Sequence, residues 1–100
     1  MANTPTARPT AAHLARRLAR LRAMEERTIV GLFEADADDV HLASLVATIR
    51  RVWKHKGPRW WTRPTMPLGG RSPRDIAVES SEGRERVETL IIQIEHGIFV

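Results

Sequence analysis

Four histidines, at positions 13, 41, 55 and 96, are the first residues to question for chemistry in this 100-residue chain. Imidazole ligands need a spacing that one helix face or turn can gather, such as HxxxH or HxH, commonly with cysteine partners. Neither spacing occurs and the chain has no cysteine, so no metal site is expected. Ser44, Ser72, Ser80 and Ser81 lack the strand–turn–helix context that exposes a nucleophilic serine, and the last three read better as helix caps. The carboxylates fall in helix first turns or beside arginines, the pattern of a solvated face. Leu68-Gly69-Gly70-Arg71-Ser72, ahead of a helix start, could offer backbone amides to an anion. It lacks the lysine and the glycine spacing of a phosphate loop. Neither a cofactor nor enzymatic activity is expected.

Binding chemistry is better represented. Arg59-Trp60-Trp61-Thr62-Arg63 alternates cations with indoles that could stack on single-stranded bases. Arg16, Arg17 and Arg20 add a basic helix face upstream. Nucleic-acid contact through these five arginines is therefore one reading, set against a solvated basic helix and tryptophans packed between helices. The segment from Trp60 to Pro73 holds two tryptophans, three prolines and a double glycine without helical or strand periodicity. It reads as a non-helical, ordered corner whose indoles anchor it to neighbouring helices.

The elements around that corner are legible from periodicity and caps. Residues 1–9, rich in Thr, Pro and Ala, read as a disordered N-terminus. A first helix runs from an N-cap at Thr10 to about Phe33. Leu14, Leu18, Leu21, Met24, Thr28, Ile29 and Leu32 form one stripe, with Arg16, Arg17, Arg20 and Arg27 mostly off it. A narrow leucine stripe on a small domain suits self-association, so residues 10–44 are expected to form a helical region that makes a homo-oligomer. Asp38 or Asp39 caps a second helix running to about His55, with Leu42, Leu45, Val46, Ile49, Val52 and Trp53 on one face. Gly57, in a left-handed cap, and Pro58 end it. Ser72-Pro73-Arg74-Asp75 opens a short third helix, ending near Ser80, with Ser72 as cap and Pro73 at the first position. Ser81 caps the last helix, whose face is Val87, Leu90, Ile91 and Ile94. Gly97 closes it in the left-handed region, which would let Ile98 touch Ile92 or Gln93. The expected fold class is all-α: a small helical bundle with a long N-terminal helix and a compact C-terminal domain.

Composition bounds the partners. The formal net charge of +4 is distributed in blocks of alternating sign: six arginines over residues 8–27, four acids over 34–39, six cations over 50–63, then mostly glutamate from 79 to 95. Such blocks can neutralise one another within a fold or between copies. No apolar run approaches the ~20 residues needed to span a bilayer, and no signal-peptide core is present. The absence of cysteine suits a reducing compartment. A cytoplasmic protein without a membrane partner is expected.

From about residue 45 to residue 100 the chain resembles the toxin-binding domain of the Xre/MbcA/ParS antitoxin family. The resemblance rests on Trp60 with Pro64 four residues on, Pro67-Leu68-Gly69-Gly70-Arg71-Ser72-Pro73, Gly83 at the start of the last helix, and Ile94-Glu95-His96-Gly97-Ile98-Phe99. Each piece is unspecific alone; their order and spacing together are specific. The resemblance implies a type II antitoxin whose partner is a RES-domain toxin that consumes NAD, or a relative that uses NAD for ADP-ribosylation. It also implies that Gly97, Ile98, Phe99 and Val100 form the partner-binding end that blocks the toxin's active site. The chain departs from the family in two places. No helix–turn–helix pair precedes the match, which argues against operator binding. Lys56-Gly57-Pro58-Arg59 also interrupts the helix that family members often run into the tryptophan.

Overall fold

Thr10 accepts from the His13 amide (3.1 Å) and so caps α1, Ala11–Ala37, where the N-cap was expected. The computed structural model describes residues 10–97. Five α-helices follow one another there: α1, α2 (Ala43–Trp53), α3 (Gly57–Thr62), α4 (Pro73–Glu79) and α5 (Ser81–Glu95). Two 3-10 turns, Lys54–Lys56 and Met66–Leu68, join them, and no strand occurs among the described residues. The all-α bundle with a long first helix is thus the fold. No helix among the described residues is long and apolar enough to cross a membrane.

The core lies where the last turns of α1 meet α2 and α3, with α4 packed on α3 and α5 packed on α2 and α4. Phe33, Leu42, Leu45, Val46, Ile49, Trp61, Leu68, Ile76, Ala77, Val87 and Ile91 are its buried apolar residues. Spacings of three and four put Leu45, Val46 and Ile49 on one face of α2, and Val87 and Ile91 on one face of α5, as periodicity dictates. Trp61 is fully buried. An indole removes on the order of 150–250 Å² from water, worth about 4–6 kcal/mol at ~25 cal/mol per Å². It is the largest fully buried side chain of the body.

Several boundaries differ from expectation for physical reasons. The first helix continues one turn past Phe33 to Ala37, so Asp36 belongs to it. Asp39 accepts from the His41 amide (2.8 Å) in the turn ahead of α2, whose own N-cap position is Leu42. α2 stops at Trp53, and Lys54 rather than Gly57 takes the positive φ (52°). Gly57 is helical, with φ −55° and ψ −50°. A Cβ there would lie 3.3 Å from both Ile49 Cγ2 and Phe33 Cζ, so glycine is present for closeness, not for handedness. Trp60 and Trp61 are helical, against the expectation of a non-helical stretch. Pro58 sits in the first turn of α3, where its missing N–H costs nothing, and the later prolines lie beyond the helix end.

The last two helices meet at a sharp corner. Ser72 caps α4 by accepting from Asp75 N (3.1 Å), with Pro73 at the first position as expected. Ser80, not Ser81, caps α5, accepting from Gly83 N (3.0 Å). Ser80 is held extended, at φ −165° and ψ 166°, so a single residue both ends α4 and starts α5. Gly83 lies at their crossing: a Cβ there would come within 1.9 Å of the Ile76 carbonyl oxygen. Only a residue without Cβ permits this approach.

Candidate functional site

The corner from Arg63 to Pro73 is fixed from both sides. Thr65 and Arg71 form an antiparallel bridge, Thr65 N donating to Arg71 O at 3.1 Å. Between them Gly69 (φ 69°) and Gly70 (φ 81°) make the left-handed turn that β-carbons would strain. Gly69 N donates to Met66 O (2.9 Å), and Gly70 N to Thr65 O (3.0 Å). These amides are spent inside the loop, so the anion cradle that Leu68 to Ser72 offered on paper is not built. Ser72 and Pro73 are buried, and Pro64 is exposed.

Beneath the corner sits a polar contact that sequence reading missed. The Trp61 indole Nε1 donates to Asp36 Oδ2 at 2.7 Å. Arg74 reaches the same carboxylate through Nε (2.7 Å to Oδ2) and its terminal nitrogen (3.3 Å to Oδ1). The Asp36 side chain is 7% exposed and Arg74 28%. One carboxylate thereby ties α1, α3 and α4 together, and no buried side-chain polar atom of the described residues lacks a partner. The hydrogen bond to Asp36 raises the Arg74 pKa above its ordinary value, against the opposing effect of burial. A raised cation pKa gives stability that is complete below the unfolded arginine's own value, so Arg74 stays charged across the neutral range. Asp36 lies three residues after Phe33 on the core face of α1; its partners are 25 and 38 residues away. No local spacing could have announced them.

Trp60 is half-buried at the edge of the core. It stacks on Trp53 with ring centroids 4.2 Å apart and planes 25° from parallel. The stack separates two grooves. One, of about 760 Å³, is walled by Trp53, Trp60, Met66, Leu68, Leu90 and Ile94 and is mainly apolar. The other, of about 610 Å³, lies against α1 and is lined by Trp53 and Trp60 with His55, Lys56, Arg59 and Arg63. Arg59 and Arg63 thus line one groove, although Arg59 also pairs with Glu26 (3.1 Å) on the surface. Arg16, Arg17 and Arg20 are not in that groove. They stand six to ten residues before Glu26, about 9–15 Å further along the helix.

That part of α1 is an arm. Every residue from 11 to 28 is exposed, including Leu14 (45%), Leu18 (52%), Leu21 (53%) and Met24 (55%). The stripe expected from spacing exists, but among the described residues nothing covers it until Ile29. The chain's largest extent is 64 Å against 30 and 24 Å across. Its radius of gyration is 18.8 Å, where a compact 100-residue fold has about 13 Å.

At the other end, Gly97 takes φ +69°, with its amide on Ile94 O (3.1 Å), as expected of a C-terminal glycine. Ile98, Phe99 and Val100, the rest of the expected partner-binding end, lie outside the described residues, as does any contact of Ile98 with Ile92 or Gln93. No group of three or more histidine, cysteine or acidic residues among the described residues could hold a metal ion. Comparison with family models, with curated proteins and with solved structures finds no match to this chain.

Proposed function

We propose that this chain is a cytoplasmic, non-enzymatic antitoxin that binds a RES-type, NAD-consuming toxin and blocks its active site with residues 97–100. The supporting observation is the platform beneath that end. α5 is anchored by fully buried Val87 and Ile91 and locked to α4 at Gly83. It finishes on a left-handed glycine, the geometry that redirects the chain at a fixed point. An apolar Ile-Phe-Val end leaving a rigid helix binds with little loss of ordering entropy. The motif positions Trp60, Leu68, Gly69, Gly70, Ser72, Pro73 and Gly83 all serve the corner and crossing that hold this platform. Co-expression with a RES-domain toxin tests the proposal. Deleting Ile98 to Val100 should abolish protection and NAD retention while helicity is unchanged. Unaltered protection by the truncated chain would refute the blocking role.

The arm supports a second element of the proposal, self-association into a homo-oligomer through α1. The basic groove beside the Trp53–Trp60 stack favours an alternative, single-stranded nucleic-acid binding with bases stacked on Trp60 and phosphates on Arg59 and Arg63. Retention on a short oligonucleotide that falls steeply with salt would favour that alternative.

A further inference from the structure

We infer that the arm of one copy lies in the apolar Trp53–Trp60–Met66 groove of a second copy, its arginines facing that copy's α5 glutamates. The inference rests on the reading of the arm as a self-association element, and it names the surface that receives it. Arm-to-arm pairing is disfavoured by charge. Residues 11–28 carry Arg16, Arg17, Arg20, Arg22 and Arg27 against Glu25 and Glu26, so two arms side by side set like charges along about 27 Å of helix.

The same molecule displays the complementary surface. Glu85 stands four residues before Thr89 and Glu82 three before Glu85, on the α5 face that continues through Thr89 and Gln93, which line the apolar groove. They therefore extend its rim as an acidic row. Among the described residues, none of the five arm arginines and neither of these glutamates has an ion-pair partner within the chain. Arg86 is the one charged residue that lines the groove itself. On the arm, a rotation of 100° per residue puts Arg17 on one side of the Leu14–Leu18–Leu21 stripe and Arg22 on the other. An apolar ridge flanked by cations meets an apolar groove whose α5 side continues into two glutamates. The dimensions agree as well: the arm's ~27 Å rise matches the 24–30 Å breadth of the molecule. Reciprocal exchange of two arms closes a two-fold dimer and buries the contact twice.

Sedimentation of the full chain between about 1 and 100 µM tests this, since dimers follow mass action. Arg17→Glu with Arg22→Glu, and separately Glu82→Arg with Glu85→Arg, should each weaken dimerisation about ten-fold or more, because each sets like charges face to face. Combining the four changes should restore most of the loss. Met66→Arg, at a groove residue 85% exposed and so tolerant of change, should weaken dimerisation without altering the monomer's melting temperature at high dilution. A dimer indifferent to the α5 and Met66 variants would overturn this docking while leaving self-association standing. A monomer at every concentration would overturn both, and neither result bears on toxin protection by residues 97–100.

Discussion

The arm and the body of this chain are both helical, and they are helical for opposite reasons. Apart from His13 and Thr28, residues 11–28 are alanine, leucine, arginine, methionine and glutamate, the residues that lose least on entering a helix. Among the described residues the arm is exposed throughout, and its helix propagates from the turns around Phe33 that the body fixes. α3 is the reverse case. Its six residues, Gly-Pro-Arg-Trp-Trp-Thr, are far too few to form a helix alone. It exists because Trp61 is buried and Asp36 receives its indole. The comparison shows helix formation from propensity and from packing within one chain. It also locates where sequence changes should be felt as stability and where as association.

The largest effect should come from the tightest point of the body. Gly83→Ala puts a methyl on the Ile76 carbonyl and forces α4 and α5 apart, at a cost of about 3 kcal/mol or more. Thermal unfolding should fall by roughly 4–8 °C for each kcal/mol lost in a domain of this size. A melting point equal to wild type would show that the crossing is soft. Asp36→Ala comes next. It leaves the buried indole without its acceptor and Arg74 without its anion, costing about 2–4 kcal/mol. Asp36→Asn, which still accepts from Trp61, should recover about 1 kcal/mol of this; equal losses for both variants would place the stabilisation in the ion pair alone. Gly57→Ala should be milder than either, since its Cβ meets side-chain ends that can yield.

Changes in the arm should leave unfolding almost untouched. Replacing Leu14, Leu18 and Leu21 by serine is expected to weaken the arm's own helix by about 0.5 kcal/mol per site, leaving the body's unfolding unchanged while removing self-association. A large drop in melting temperature at high dilution would mean the stripe is covered within the chain, contrary to the comparison. The smallest effect belongs to the Glu26–Arg59 pair at the arm's base, whose side chains are 65% and 63% exposed. Glu26→Gln should change stability by no more than about 0.5 kcal/mol, as exposed ion pairs do. Anything greater would show that the arm is held to the body by charge.

Much of the framework was legible because it is local. Thr10, Ser72 and Pro73 announce helix starts, and Gly97 a stop, through chemistry confined to four or five neighbouring residues. The errors fell where two local signals competed. Ser80 and Ser81 are adjacent cap candidates, and only the crossing at Gly83 selects the first. Gly57-Pro58 reads as a helix stop, and the space left by Phe33 and Ile49 makes it a start instead. The two tryptophans are indistinguishable in sequence, yet one is fully buried and the other forms a groove wall.

By itself, then, the order of residues determined that this chain is helical, where α1 and α4 begin and α5 ends, and which faces of the helices are apolar. Folding in three dimensions decided what those faces meet. It joined Asp36 to partners 25 and 38 residues away, closed the helix crossing that excludes a β-carbon, and left the leucines of the arm without a cover of their own. The physical reason is range. Caps and periodicity act over a turn or two of backbone, whereas burial and charge pairing depend on distances through space that no spacing along the chain encodes.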